Sequence, residues 1–145
     1  MKPQIVSKEA FHVIGMKLTC REEQLHQEMP KLWEKFSERI HEIPQRKREY
    51  VVDICLQHID NDYTQLVCVE VDSLSVIPKD MIGLSIPKQT YAFVKHTGSE
   101  EDIWKSFYIL QDWIEEKGCL VDPKDFKMDY KSEKGYHNLY QKILL

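Results

Sequence analysis

Carboxylate and aromatic side chains occur together from Leu66 towards the C-terminus, and this combination suits the binding of a hydrophobic cation. An aromatic face attracts a cation by about 0.5–2 kcal/mol per contact, and a bound cation neutralises a carboxylate that is costly to hold away from water. We therefore expect a site for bulky, hydrophobic, cationic small molecules. The candidate ligand-binding residues are Glu70, Tyr91, Phe93, Trp104, Tyr108, Asp129 and Tyr130.

Most of these side chains also have a purely structural interpretation. Side chains alternate along a strand, so Glu70 lies opposite a face formed by Val67, Val69 and Val71, which is the better core face. Glu70 then points away from the helices or lines the margin of a cleft, and a solvated carboxylate is the plainer interpretation. Asp53 is a parallel case. Aromatic residues at helical spacing usually pack against a sheet, so we expect most aromatic side chains in the core and a minority around a ligand.

The motifs of nucleophilic, metal and phosphate-binding chemistry are absent from the sequence. The four cysteines form no CxxC pair, and the six histidines show no spacing that places two metal ligands on one helix face. The stretch from Asp60 to Asp62 lacks the Gly and later Glu of a calcium loop, so a hairpin turn is expected there. A Gly-rich phosphate loop and a nucleophile elbow are also missing. We expect no metal and no cofactor.

Composition favours one globular domain, residues 1–145, with 42% hydrophobic residues. The formal net charge is -4 and no long run of like charge occurs, so direct binding of DNA or RNA is not expected. The N-terminal residues lack the apolar segment of a signal peptide, and no stretch approaches the roughly 20 apolar residues of a membrane span. These features predict a cytoplasmic protein. The first strand begins almost at Met1, so no preceding helix-turn-helix is expected.

Two amphipathic helices are predicted. The first has two start signals, a capping box of Thr19 with Glu22 and the residue Pro30, so it begins at residue 21 or near residue 29. Its apolar stripe runs from Met29 to Ile43 with helical spacing. The second helix begins at a capping box formed by Ser99 and Asp102, and Gly118 stands where a C-cap is expected.

The strands complete two similar units. The predicted strands are residues 3–18 with an irregularity near Gly15, the hairpin 50–58 and 64–73, and the segments 89–97, 126–130 and 137–144. The order is strand, helix, strand, strand, and then the same again. This predicts an α+β fold of two βαββ-type units with pseudo-two-fold symmetry, in which an antiparallel sheet carries both helices on one face. A cleft is expected between the helices.

Six segments in this order resemble the GyrI-like family, the effector-binding domain found alone or fused to bacterial transcription activators. They are MPKLWEKFSERI (29–40), LVCVEVDS (66–73), IPKQTYAFVKHTG (86–98), EEDIWKSFYILQDWIEEKG (100–118), DPKDFKMDY (122–130) and YHNLYQKILL (136–145). The resemblance covers nearly the whole chain. It implies a cleft that binds bulky hydrophobic, often cationic compounds.

The resemblance also implies an acidic residue in a Phe-Glu-x-Tyr type motif on the penultimate strand. The matching residues run from Phe126 to Tyr130, and Lys127 stands at the acidic position. Asp129 lies two residues further on, on the same strand face, and could supply the carboxylate. Lys127 could equally turn the preference towards anionic or neutral ligands.

These observations predict a stand-alone domain that binds an amphipathic small molecule as a ligand sensor or sequestering protein. Two alternatives stay open. Some members of the resembling family are hydrolases of strained cyclopropane-containing toxins, so a pocket acid could serve catalysis. The family's association with gyrase inhibition suggests instead a regulatory protein partner, for which a net charge of -4 is weak support.

Overall fold

A computed structural model describes residues 2–144 of the chain. The strands are β1 (Gln4–Lys8), β2 (Phe11–Arg21), β3 (Val52–Ile59), β4 (Asp62–Val71), β5 (Ile82–Ile86), β6 (Gln89–His96), β7 (Leu120–Val121), β8 (Lys127–Lys131) and β9 (His137–Leu144). The helices are α1 (Leu25–Arg39) and α2 (Ile103–Glu116). No helix within residues 2–144 is long and apolar enough to cross a membrane.

The sheet is antiparallel, and its strand order shows the two units. The order is β1-β6-β9-β8-β3-β4-β2-β5, with β7 attached to β9. The unit β2-α1-β3-β4 supplies one half and the unit β6-α2-β8-β9 the other, so β3 and β8 meet in the middle. The predicted α+β fold with two related units is confirmed.

Both helices lie on one face of the sheet, over different halves. Met29 and Phe36 of α1 pack on Val67 and Val69, so the valine face of β4 is core, as alternation predicted. On the other half, Leu110 and Ile114 of α2 pack against an apolar cluster of β6 and β9. The middle of this face, over β3 and β8, lies between the two helices.

The opposite face of the sheet carries a second apolar layer. Leu66, Cys68 and Val52 point to this side and are fully buried together with Tyr91 and Met128. Partly buried side chains of β1 and β5 pack against the same cluster from the outer strands. The face of the central strands that lies opposite the helices is therefore covered by protein.

The structure corrects several predicted boundaries in the first half. The first strand is two strands, and it shows no irregularity at Gly15, where the register with β4 is continuous. Thr19 lies within β2 and caps no helix. Instead, the backbone amide of Arg21 donates a hydrogen bond to the Gln24 side chain at 3.0 Å, just before α1 begins at Leu25. Pro30 lies inside α1.

In the second half, β5 lies in the stretch before Pro87 where a loop was expected, and β7 lies in a segment for which no strand was predicted. Ser99 is the cap, as expected, and its hydroxyl accepts from the Glu101 amide at 3.2 Å. The Asp102 side chain pairs with Lys105 at 3.2 Å instead of completing the predicted capping box. A short 3-10 turn, Glu100–Asp102, then leads into α2. Gly118 follows α2 with a φ of 75°, as a C-cap glycine should.

Candidate functional site

A groove runs between α1 and α2, with β3 and β8 as its floor. It has three adjoining hollows of about 410, 370 and 430 Å³. Trp33, Asp53 and Asp129 are shared by the first and second hollows, and Phe107 and Lys127 by the first and third. The hollows are thus sections of one continuous groove, which we call the interhelical groove.

The strand register places two carboxylates in the middle of this floor. One row of side chains crosses the helix-bearing face in the order Met16, Val67, Asp53, Asp129, Leu139 and Val94. The outer members of this row lie beneath the helices and are apolar, as core residues should be. The two central members lie in the gap between the helices, where a polar side chain can reach the groove.

Asp53 is hydrogen-bonded to an aromatic side chain. The indole nitrogen of Trp33 donates to both carboxylate oxygens of Asp53, at 2.8 and 3.0 Å. Within residues 2–144, no basic side chain lies within ion-pair distance of Asp53. Loss of solvent contact, reinforced by the charge of Asp129, raises the pKa of Asp53 to about 7. A cation in the groove would therefore meet a carboxylate that has no ion-pair partner among residues 2–144.

Asp129, by contrast, is compensated. The imidazole of His137 donates from Nδ1 to Asp129 at 2.6 Å, and its Nε2 lies 3.3 Å from Glu100. Lys131 completes this series of charged side chains, with its ammonium 3.1 Å from Glu100. The hydrogen bond to Asp129 raises the pKa of His137, which favours the imidazolium form. Two negative and two positive groups then balance each other along the floor.

Lys127 is also paired. Its ammonium donates to Asp125 at 2.6 Å and lies 5.7 Å from the centre of the Phe107 ring. Asp125 also accepts from the Gln141 amide at 3.1 Å and is hydrogen-bonded to the His58 ring at 3.0 Å. The pKa of Asp125 lies below its ordinary range, because Lys127 and these hydrogen bonds outweigh the effect of burial.

Aromatic side chains form the walls. Trp33 stands on α1, and Trp104, Phe107 and Tyr108 stand on α2. Trp104 and Tyr108 are the most open, with 56% and 62% of their surface exposed, and their rings meet edge to face at 5.8 Å. Large exposed rings beside a groove are available to a ligand, whereas core rings are not.

Three of the predicted site residues, Trp104, Tyr108 and Asp129, line the interhelical groove. The other four, Glu70, Tyr91, Phe93 and Tyr130, point to the opposite face of the sheet and are not part of it. Tyr91 is fully buried, and the Tyr130 hydroxyl donates to Glu70 at 3.0 Å. Phe93 borders a separate small hollow together with Tyr140.

The sequence analysis named Asp53 only as a case similar to Glu70. It did not identify His137 as a partner of Asp129 or Trp33 as a hydrogen-bond donor to Asp53. Alternation along β3 separates Asp53 from Val52 and Ile54, but it does not say which face the helices cover. Trp33 fits the apolar stripe of α1, so the pattern alone assigns it to the core. Among residues 2–144, no group of three or more His, Cys, Asp or Glu side chains is arranged to hold a metal ion.

Comparison with known proteins gives a family match over residues 1–145, to the GyrI-like small molecule binding domain. The transcriptional regulator BrlR of Pseudomonas aeruginosa is 30% identical over 128 residues. These residues are 86% of this chain and 45% of that regulator, so the chain spans less than half of its relative.

Solved structures share the fold at low sequence identity. A structure of SAV2435 bound to tetraphenylphosphonium has a TM-score of 0.79 at 13% identity, covering 99% of this chain and 94% of that chain. EcmrR in a DNA complex has a TM-score of 0.73 at 11% identity, covering 98% and 57%. A hydrolase from Listeria innocua has a TM-score of 0.60 at 10% identity, covering 99% and 92%.

The family match agrees with the features found in the structure, namely two related units and a groove between two helices. It extends over every element of the fold. The chain therefore belongs to the family of GyrI-like small-molecule binding domains, which is related to bacterial transcription regulators.

Proposed function

We propose that this domain binds bulky hydrophobic organic cations in the interhelical groove, with Asp53 as the counter-charge. The observation that carries the proposal is the environment of Asp53. This carboxylate lies beside an indole ring at the centre of an aromatic-walled groove, and no basic side chain within residues 2–144 is in ion-pair range. A cationic ligand gains both a counter-charge and contacts with ring faces, whereas a neutral ligand gains no counter-charge and an anion meets repulsion.

The fold relative SAV2435 has been solved with tetraphenylphosphonium, a cation of this class. That observation belongs to SAV2435, and at 13% identity it supports the choice of probe rather than the residues. Tetraphenylphosphonium has an anionic counterpart of nearly the same size, tetraphenylborate. The two ions therefore separate the effect of charge from the effect of shape.

The test is a calorimetric titration of the wild-type chain with both ions. We expect tetraphenylphosphonium to bind at least about tenfold more tightly than tetraphenylborate, because only the cation gains from Asp53. Asp53→Asn keeps the acceptor for the Trp33 indole but removes the charge, and it should weaken cation binding by about tenfold or more.

Glu70→Gln is the matched control, since Glu70 lies on the opposite face of the sheet. It should leave the cation affinity unchanged. Equal affinity for the two ions, or a loss in Glu70→Gln as large as in Asp53→Asn, would contradict the proposal.

In the cell, the domain would act as a ligand sensor or as a sequestering protein. Its similarity to BrlR supports a sensing role, in which ligand binding is communicated to a transcription regulator. Such a role requires DNA-binding residues or a protein partner outside the groove described here.

Hydrolysis is a second candidate, favoured by the pKa of about 7 at Asp53. A carboxyl group that titrates near neutral pH can donate or accept a proton under working conditions. Incubation with a reactive cyclopropane compound, followed by mass spectrometry, tests this candidate. Product formation that is lost in Asp53→Asn but kept in Glu70→Gln would support it.

A further inference from the structure

We infer that the interhelical groove selects zwitterionic aromatic compounds, with the cationic group at Asp53 and a carboxylate at Lys127. This inference rests on the proposed function, because it assumes that the ligand occupies the groove. It adds a second recognition element and so names a narrower class of ligand. The inference is based on one observation: Asp53, Lys127 and an aromatic wall line the same hollow of about 410 Å³.

The strand register fixes the separation of the two charges. Asp53 pairs with Asp129 across β3 and β8, and Cys55 pairs with Lys127. Asp53 and Lys127 are therefore diagonal neighbours on the same face, with their Cβ atoms roughly 7 Å apart. Phe107 lines the same hollow, and the ammonium of Lys127 lies 5.7 Å from its ring. An aromatic ligand with opposite charges a few ångströms apart matches this spacing.

The other carboxylates of the floor do not replace Asp53. Asp129 is neutralised by His137, and Glu100 by Lys131. A ligand cation therefore finds its counter-charge at Asp53. A ligand anion finds at Lys127 an ammonium group that lines both the first and the third hollow.

Asp125 accepts a hydrogen bond from Lys127 but does not use all the N–H donors of the Lys127 ammonium group. A lysine ammonium has three N–H donors, and within residues 2–144 its only hydrogen-bond acceptor is Asp125. Asp125 has further partners of its own in Gln141 and His58. A ligand carboxylate can thus share Lys127 with Asp125 while Asp125 keeps its other hydrogen bonds. The Lys127 side chain is 19% exposed, so its charge is poorly screened by water.

The test uses two dyes that differ only at one group, a rhodamine with a free carboxylate and its methyl ester. The first is a zwitterion near neutral pH, and the second is a cation of almost the same shape. Fluorescence anisotropy gives the affinity of each dye for the full chain. We expect the zwitterion to bind about tenfold more tightly, since a hydrogen bond to a charged group is worth roughly 1.5 kcal/mol.

Variants test whether Lys127 causes the preference for the zwitterion. Lys127→Met should remove the preference for the zwitterion over the ester. Lys127→Arg should keep the preference, which shows that charge rather than fold is responsible. Lys95→Met is the matched control, because Lys95 lies against Tyr136 and outside the groove. Circular dichroism reports whether each variant is folded.

The outcomes separate the two proposals. If tetraphenylphosphonium and both dyes bind but the dyes bind equally, the inference about Lys127 is wrong and the proposed function stands. A preference for the zwitterion that persists in Lys127→Met also overturns the inference. If tetraphenylphosphonium and both dyes fail to bind, both proposals are wrong.

Discussion

At the level of single residues, Asp53 links ligand binding to pH. Its pKa of about 7 means that the folded chain carries a proton on this carboxyl group below neutral pH. A cation binds the ionised form, so binding must release that proton when the solution is acidic.

Cation affinity should therefore rise as the pH increases through about 7. Between pH 6 and pH 8 we expect tetraphenylphosphonium to bind about tenfold more tightly, since the ionised fraction of Asp53 rises from about one tenth to about nine tenths. Calorimetric titrations at pH 6, 7 and 8 measure this. Asp53→Asn should show weak binding with a flat profile. A wild-type affinity that falls with rising pH would contradict the assignment.

At the level of elements, β2 depends on a glycine for its contact with β4. A Cβ atom at Gly15 would lie 2.1 Å from the backbone oxygen of Val67 and 2.6 Å from the Cα of Cys68. Backbone atoms cannot move aside as a flexible side chain can, so any larger residue must push the two strands apart. Val67 is next to Asp53 across the sheet, and the separation would reach the groove floor.

We therefore expect Gly15→Ala to destabilise the fold by about 3 kcal/mol or more. Chemical denaturation monitored by tryptophan fluorescence gives the free energy of unfolding. The matched control is Gly98→Ala, where the nearest atom lies at an ordinary contact distance of 3.7 Å in the His96 side chain. Similar unfolding free energies for the two variants would show that the strand contact is less constrained than the structure indicates.

The sequence predicted those elements whose signals are local. The cap at Ser99 and the glycine after α2 depend on neighbours a few residues apart, and both agree with the structure. The amphipathic stripe correctly predicted a helix at α1, but α1 ends at Arg39 instead of reaching Ile43, and Trp33 faces the groove. Strand β5 was missed because the stretch that contains it includes Gly83 and ends before Pro87, which favours a loop. Its partner β2 lies about 70 residues away in sequence, so no local pattern reveals the pairing.

The same limit explains the partial prediction of the site. Alternation correctly separated Glu70 from the valine face, but it could not show that the opposite face is also covered by protein. Glu70 and Tyr130 therefore form a hydrogen bond away from the groove instead of lining it. Asp53 belongs to the groove because β3 and β8 are adjacent in the middle of the sheet, which is a property of the topology and not of either strand alone.

At the level of the whole molecule, the interhelical groove joins the two halves of the fold. Its floor combines β3 of the first unit with β8 of the second, and its walls come from α1 and α2. The helices pack on separate apolar clusters, so direct packing between them is not what fixes the width of the groove. A bound ligand would touch both halves and would stabilise their relative position.

Ligand binding should accordingly protect both helices from hydrogen exchange at once. With tetraphenylphosphonium at about 100 times its dissociation constant, the folded state gains about 2.7 kcal/mol over the unfolded state. We expect the largest decrease in exchange around Trp33 of α1 and Phe107 of α2, because these two rings line the first hollow from the two helices. Hydrogen–deuterium exchange with mass spectrometry resolves the two helices as separate peptides. Asp53→Asn at the same ligand concentration should show little protection in either. Protection confined to one helix, or to β1 and β6 at the edge of the sheet, would place the ligand elsewhere. It would also remove the basis for a groove that couples the two units.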